Sequence, residues 1–425
     1  MSGERHTSFA QVVGKAWRDN LLFSVLVELT YRCNLDCSFC YNDLALRGVP
    51  LSTAQYFQFF SDLRDLQVLN LTLSGGEPLA HPDFIRLGAR ARELGFAVRI
   101  KSNGHALRGE MARRVRDEID PFLVEVSLHG ASAATHDRQT RVAGSFERLL
   151  ANLGEMRRLG LRVKLNSTLT AWNENEIEAM LDLAASLGLP LQVDPEVTPR
   201  DDGDRSPLAL TASRAGLLRM FDAMAARERA AAGEAGGGDP EKPAGPADPY
   251  GSAMPPGAAG PDRSARPSGP DASDGLPGSP GPAGSARPEI FVARGGDDGS
   301  APAPAGKHCG AGSSSIAVDP YGSVYPCVQW RRPVGNLHQQ PIGEIWRRSR
   351  GLDEVRRLTV AAKDAVAAHG PGGALLNFCP GNAEALTGDP LRIYPAAERR
   401  SELTREWLQS TAPAAPRSPF NILPS

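Results

Sequence analysis

The chain has 425 residues, a net charge of −2 at pH 7 and 41% hydrophobic residues, enough material for two domains with buried cores. A near-neutral charge argues against nucleic acid as the main partner, and no apolar run is long enough to span a bilayer. Six cysteines in so long a chain do not make a disulfide scaffold, so thiolates held for metal in a reducing, cytoplasmic setting fit better.

Met1 to Gln11 is polar and leads into no signal-peptide core. Residues 1–20 read as an N-terminal segment too short to be a domain. From there strand-like runs alternate with amphipathic ones. Strands are expected at Phe23–Leu29, Asn70–Ser74, Ala97–Lys101, Leu123–Leu128, Arg162–Thr168 and Pro190–Asp194. Helices are expected at Thr53–Asp65, Phe84–Leu94, Gly109–Glu118, Ser145–Leu159 and Glu174–Leu187. Such alternation predicts a parallel sheet with covering helices over residues 21–227, either an open partial barrel or a doubly wound sheet.

Residues 228–306 are dominated by Gly, Pro, Ala, Ser and Asp. The stretch from Ser264 to Pro288 has almost no large apolar side chain and too little to bury against its ordering entropy. It lacks a strict Gly-X-Y period and reads as a disordered linker, with Glu289–Val292 as a short apolar patch. A cysteine-bearing region, 307–394, follows, then a tail, 395–425, with one helix-like piece.

The chemistry concentrates at strand ends. Cys33, Cys37 and Cys40 lie in one short loop after the first strand. Ligands in α/β proteins gather at the carboxyl ends of strands. Three thiolates can hold three irons of a [4Fe–4S] cluster and leave the fourth open to a substrate. Structural zinc wants four closed ligands, and no fourth Cys or His lies nearby in sequence.

Ser74-Gly75-Gly76-Glu77-Pro78 ends the second strand. Its glycines allow close backbone approach, and free backbone polar groups can bind an ammonium or carboxylate. Lys101-Ser102-Asn103-Gly104 ends the third strand as a turn. In the fourth, alternation puts Glu125, Ser127 and His129 on one face, and in the fifth Asn166 with Thr168. Arg138 and Arg141 precede Gly144-Ser145-Phe146, and either guanidinium suits a carboxylate. Beyond the linker, Asp319-Pro320-Tyr321-Gly322 between two β-rich runs reads as a hairpin turn, flanked by Cys309 and Cys327. With Cys379 these suggest a second metal site.

These motifs resemble the radical S-adenosylmethionine (SAM) superfamily. Its signature spaces three cysteines by three and two residues, with an aromatic, here Phe39, before the last. The resemblance implies an α/β fold, a partial (β/α)6 TIM-like barrel with a C-terminal SPASM/twitch-like extension and a disordered linker. It implies that SAM chelates the open iron and is reductively cleaved to a 5′-deoxyadenosyl radical that abstracts hydrogen. By the same resemblance Gly75, Gly76 and Glu77 hold the SAM amino group, Ser127 its ribose and Arg141 its carboxylate. The Asn103-Gly104 turn is a further candidate near SAM. Where the family commonly has Asp-Gly, this chain has His129-Gly130.

The second cysteine set resembles the SPASM or shorter twitch extension, at Cys309, Gly322 and Cys327, then Gly335-Asn336-Leu337 and Ile342-Gly343-Glu344-Ile345-Trp346. Full SPASM domains carry seven cysteines; this region has three, and Asn382 stands where a further cysteine is expected. One auxiliary [4Fe–4S] cluster is therefore expected, on Cys309, Cys327 and Cys379, with His308, Asp389 or the substrate as fourth ligand.

The resemblance implies a ribosomal peptide maturase, an oxidoreductase-type enzyme acting on a peptide or protein substrate. It needs an external electron donor, and leader recognition would fall to a separate protein. The alternatives are radical modification of a small cofactor precursor such as a tetrapyrrole, and a non-catalytic metal-binding scaffold. Substrate, bond formed and oligomeric state are not written in the motifs.

Overall fold

The computed structural model describes residues 9–43, 45–235 and 306–411. Most of the expected linker, with Ser264–Pro288 and Glu289–Val292, lies outside the described residues, as does the end of the C-terminal tail.

The chain enters through helix α1 (Phe9–Asp19) and then alternates strand and helix. In order these are β1 (Ser24–Glu28), α2 (Thr53–Asp65), β2 (Asn70–Ser74), α3 (Phe84–Glu93), β3 (Ala97–Ser102), α4 (Gly109–Arg114) and β4 (Leu123–Ser127). Then come α5 (Ala133–Thr140), α6 (Ser145–Arg158), β5 (Val163–Thr168), α7 (Ile177–Ser186), β6 (Leu191–Asp194) and the long α8 (Arg214–Ala235). The second part holds β7 (Ser315–Val318), β8 (Ser323–Tyr325), β9 (Gly335–Asn336), α9 (Ile342–Arg348), α10 (Arg350–Ala368), α11 (Pro380–Thr387) and α12 (Pro395–Thr411).

All strands join one sheet in the order β6-β5-β4-β3-β2-β1-β7-β8-β9. The first six pair in parallel, which places the carboxyl ends of β1 to β6 on one rim. β7 also pairs in parallel with β1, Ser24 opposite Ser315 and Val27 opposite Val318, and then turns back into β8. The second part therefore continues the first part's sheet instead of forming a separate one.

Strand alternation decides what each face does. Val25, Val27, Leu71, Leu73, Val98, Ile100, Val124, Val126 and Leu165 are buried in one large apolar core with helix residues such as Phe60, Leu87, Leu149 and Met180. The residues between them, Thr72, Arg99, Lys101, Glu125, Ser127, Asn166 and Gln192, form the polar inner face. Local signals set the helices: Ser52 and Gln55 close a reciprocal capping box at the start of α2. Asp137 accepts from the backbone amides of Gly144 and Phe146 and so caps α6.

Two segments are more ordered than the sequence suggests. α1 is docked, since the Lys307 ammonium donates to the Trp17 carbonyl at 2.7 Å and to Asn20 Oδ1 at 2.6 Å. α12 is also docked, through Arg400, which is 8% exposed and pairs with Glu196 at 2.9 Å.

Candidate active site

The cysteine loop is held at the rim by backbone contacts from two directions. The amides of Asp36 and Ser38 donate to the carbonyls of Thr140 and Gln139 at the end of α5. On the other side the amides of Gly76 and Glu77 donate to the carbonyls of Thr30 and Arg32, at 2.7 and 2.8 Å. A Cβ on Gly75 would lie 2.3 Å from the Thr30 oxygen, and one on Gly76 2.6 Å from the Arg32 oxygen. Gly75 also has φ +140. The glycines are thus required by the close docking of the Gly-Gly-Glu turn against Thr30–Arg32, the segment that leads from β1 into the cysteine loop.

Cys33, Cys37 and Cys40 are half-buried free thiols. Burial pushes all three thiols up, and Cys37 is raised further by repulsion from Cys40 and Cys33. Such crowding disfavours bare thiolates and is relieved by cations placed between them. Cys33 Sγ lies 3.4 Å from the Leu35 amide and 3.9 Å from Asn103 Nδ2, which also donates to Asn34 Oδ1 at 2.8 Å. The Asn103-Gly104 turn is therefore part of the loop's surroundings.

Glu77 is 2% exposed. It accepts from Ser102 Oγ at 2.9 Å, the Asn103 amide at 2.8 Å and the Leu79 amide at 3.2 Å. Burial, partly offset by these donors, pushes its carboxyl up to about 7. Its side chain joins the ends of β2 and β3. Arg141 caps α5 with φ 57 and reaches the cysteine loop at Asp36, 3.2 Å away, whereas Arg138 lies over the Trp172 ring at 4.1 Å. Of the two arginines, Arg141 is the one at the loop.

Ser127 sits at the end of β4, half-buried and in register with Asn166. Below it, Glu125 is caged by Arg99 at 2.9 Å, Lys101 at 3.5 Å and Asn166 Nδ2 at 2.9 Å. Despite burial, the charges of Lys101 and Arg99 and the Asn166 hydrogen bond hold its carboxyl down at about 2. His129 is buried and pushed down to about 3 by desolvation and by His136, and its ring packs edge-on against Phe39 at 4.7 Å.

Among the buried polar atoms near this rim that have no hydrogen-bond partner among the described residues are Asn42 Oδ1, His105 Nε2 and His129 Nδ1. Each belongs to a residue in contact with the cysteine loop. Asn42 lies within it and donates to the Gly75 carbonyl, His105 Nδ1 is 3.3 Å from Asn34 Nδ2, and His129 touches Phe39. Unsatisfied polar atoms of this kind fit a polar ligand seated beside the thiols.

The second cysteine set is assembled from distant segments. Cys309 and Cys327 pack with Ala311, Trp330, Val355 and Leu358. Cys379 is the N-cap residue of α11. Burial and repulsion from Cys327 raise Cys309 to about 12, and Cys379 is raised by burial and by both of the others. The three therefore share one neighbourhood. Among the described residues no group of His, Cys, Asp and Glu side chains is set to hold a single metal ion. In a [4Fe–4S] cluster each thiolate binds a different iron, which calls for a wider ligand set.

Of the expected fourth ligands, His308 has Nε2 2.7 Å from the Phe378 carbonyl, and Asp389 lies beyond the far end of α11, where it accepts from the Leu391 amide. Asn382, 4% exposed, occupies the first turn of α11. Sequence reasoning missed a charged group between the two sites: Arg331, bound to Glu28 at 2.7 Å and 3.0 Å from Asp201. Only its place four residues after Cys327 hinted at a role.

Comparison with known proteins agrees with this geometry. Residues 27–184 match the radical SAM superfamily, and residues 309–367 match SPASM, an iron–sulfur cluster-binding domain. A pre-heme d1 synthase of Dinoroseobacter shibae is 36% identical over 39% of this chain and 41% of its own length. A PqqA peptide cyclase of Ruegeria pomeroyi is 32% identical over 39% of this chain and 44% of its own. An AdoMet-dependent heme synthase of Methanosarcina barkeri is 26% identical over 77% of this chain and 83% of its own. The chain thus spans less than half the length of the first two of these relatives. The solved structure of anSMEcpe with bound AdoMet superposes with a TM-score of 0.60 at 14% identity, covering 91% of this chain and 96% of that one. No helix among the described residues is long and apolar enough to cross a membrane. The chain carries a radical SAM domain at residues 27–184 and a SPASM domain at residues 309–367.

Proposed function

We propose that this protein is a radical SAM peptide maturase. The observation that carries the reading is the cysteine loop itself, docked on the Gly-Gly-Glu turn and ringed by unpaired polar atoms, with a second thiol set between the β7–β8 hairpin and α11. When bound, the cluster and SAM supply a 5′-deoxyadenosyl radical that takes hydrogen from an unactivated position. Cys33, Cys37 and Cys40 would hold that cluster. Gly75, Gly76, Ser127 and Arg141, with Asn42, would bind SAM, while Glu77 fixes the turn that presents the glycines. Cys309, Cys327 and Cys379 would hold one auxiliary [4Fe–4S] cluster.

A peptide substrate is supported by the likeness to PqqA peptide cyclases and by anSMEcpe, whose fold is shared and which is solved with a bound peptide. An external electron donor would deliver the electron, and a separate protein would bind a leader. A second reading, modification of a tetrapyrrole, is favoured by the match that runs along most of a heme synthase. The polar inner face with Arg99 and Lys101 suits an acidic group from either substrate.

The test is anaerobic reconstitution with SAM, a reductant and short peptides encoded beside the gene, read by mass spectrometry. A mass change in a peptide, dependent on SAM, supports the maturase. Formation of 5′-deoxyadenosine stimulated only by a propionate-bearing tetrapyrrole would replace it with the second reading. Absence of SAM cleavage in iron-loaded protein would remove both.

A further inference from the structure

We propose that Arg331 is a positioning residue by which the SPASM domain clamps both ends of the Cys33–Cys40 loop, so that the SAM-cleaving site reaches its working shape only with the second domain docked. This rests on the radical SAM reading above.

Arg331 is anchored from behind. Its neighbours Trp330 and Arg332 turn toward α11 and α10: both donate to Glu384, and Arg332 also pairs with Glu354 at 2.7 Å. Arg331 between them points the other way, into the barrel. It meets Glu28 through two hydrogen bonds, at 2.7 and 2.9 Å. Glu28 is the last residue of β1 and fully buried, and its Oε2 also accepts from the Tyr31 hydroxyl at 3.0 Å. That fixes the entry to the cysteine loop.

The same guanidinium meets the exit by charge and not by an aligned hydrogen bond, since neither Arg331 Nε nor Asp201 Oδ2 has a hydrogen-bond partner among the described residues. Arg331 Nε lies 3.0 Å from Asp201 Oδ2, and the Asp201 amide donates to the carbonyl of Tyr41, the residue after Cys40. The Tyr41 and Tyr325 rings face the guanidinium at 5.8 and 5.1 Å. One cation from the second domain thus answers two carboxylates of the first, on either side of the cysteine loop.

The energetics make the contact consequential. A buried carboxylate that loses its only cation is strongly destabilised, whereas removing both charges together costs far less. Lysine cannot replace the planar fork that spans both oxygens of Glu28.

The test uses the full chain as Arg331→Met, Arg331→Lys, and Glu28→Gln with Arg331→Met. In metal-free protein, hydrogen exchange of the amides from Thr30 to Tyr41 should speed up on the order of a hundredfold in Arg331→Met, while β3 to β5 keep wild-type protection. Arg331→Lys should fall between. After anaerobic reconstitution, Arg331→Met should keep its iron but change the electron paramagnetic resonance response of the first cluster to SAM. If Arg331→Met does not fold, the double variant carries the test, because it removes the buried Glu28 charge together with its cation: its loop should still exchange faster than wild type.

Wild-type loop protection in Arg331→Met, or in the double variant where that one does not fold, overturns the clamp. So does acceleration spread evenly over the whole sheet, or a SAM-bound spectrum identical to wild type. Failure of the wild-type protein to cleave SAM would remove the functional reading, and the exchange result would still decide the contact.

Discussion

The two thiol sites are built by opposite means. Cys33, Cys37 and Cys40 sit within one loop whose backbone is gripped by the Gly-Gly-Glu turn and the end of α5. Cys309, Cys327 and Cys379 come from a loop before β7, the end of a hairpin and the N-cap of α11. The first is local in sequence and fixed by main-chain hydrogen bonds. The second exists only when separate elements pack. The contrast teaches that thiols can be gathered within one loop or by the packing of separate elements, and that the two fail differently.

The comparison breaks most visibly if the first site is removed. Changing Cys33, Cys37 and Cys40 together to Ala should abolish 5′-deoxyadenosine formation and leave roughly half the iron of a two-cluster protein. Unchanged iron would show that Cys33, Cys37 and Cys40 hold no cluster. Next, Cys309→Ala should spare uncoupled SAM cleavage while stopping substrate modification, read by chromatography of deoxyadenosine beside mass spectrometry of the substrate. If both activities survive, the second thiol set has no part in turnover.

Smaller changes sharpen the same contrast. Gly76→Ala places a methyl 2.6 Å from the Arg32 oxygen, a clash of main chain against main chain. It should cost about 1–3 kcal/mol in denaturant titration and reduce iron at the first site more than at the second. Equal loss at both would mean that the turn supports the whole domain.

The Glu125 cage tests the polar face below the first site. Its carboxyl is held at about 2 in the folded protein against 4.5 ordinarily. Folding therefore favours the ionised form, and the stabilisation is full above about 4.5 and lost as pH falls toward 2. Glu125→Gln should flatten that part of the stability–pH curve and cost about 2–3 kcal/mol at neutral pH. A curve unchanged in slope would show that Arg99 and Lys101 do not hold the charge.

Much of the barrel was legible because its signals are local. Each of the six parallel strands lies where apolar alternation put it, with ends differing by a residue or so, and α2 matches its expected bounds. The hairpin around Asp319 and Gly322 followed from turn chemistry. α5 escaped because Ala133–Thr140 is short and polar, stabilised by the Ser132 cap and by packing on α6. The order in α12 depends on Arg400 meeting Glu196, and the Arg331 clamp on Glu28 and Asp201. Pairings across such separations leave no trace in periodicity. The thiol sites divide the same way: the first is contiguous in sequence, whereas the second, though the sequence alone groups its three cysteines, is brought together by the packing of α11.

The parallel pairing of β7 with β1 also bears on how the protein is made. Ser315 joins Ser24 about 290 residues later, so at ordinary translation speeds the outer edge of β1 emerges from the ribosome roughly 15 to 60 s before its partner strand exists. Throughout that interval the nascent barrel carries an open parallel edge beside its cysteine loop. Expression should therefore be sensitive to synthesis rate and to chaperones that shield strand edges, and iron loading of the first site during synthesis should be less complete than after release.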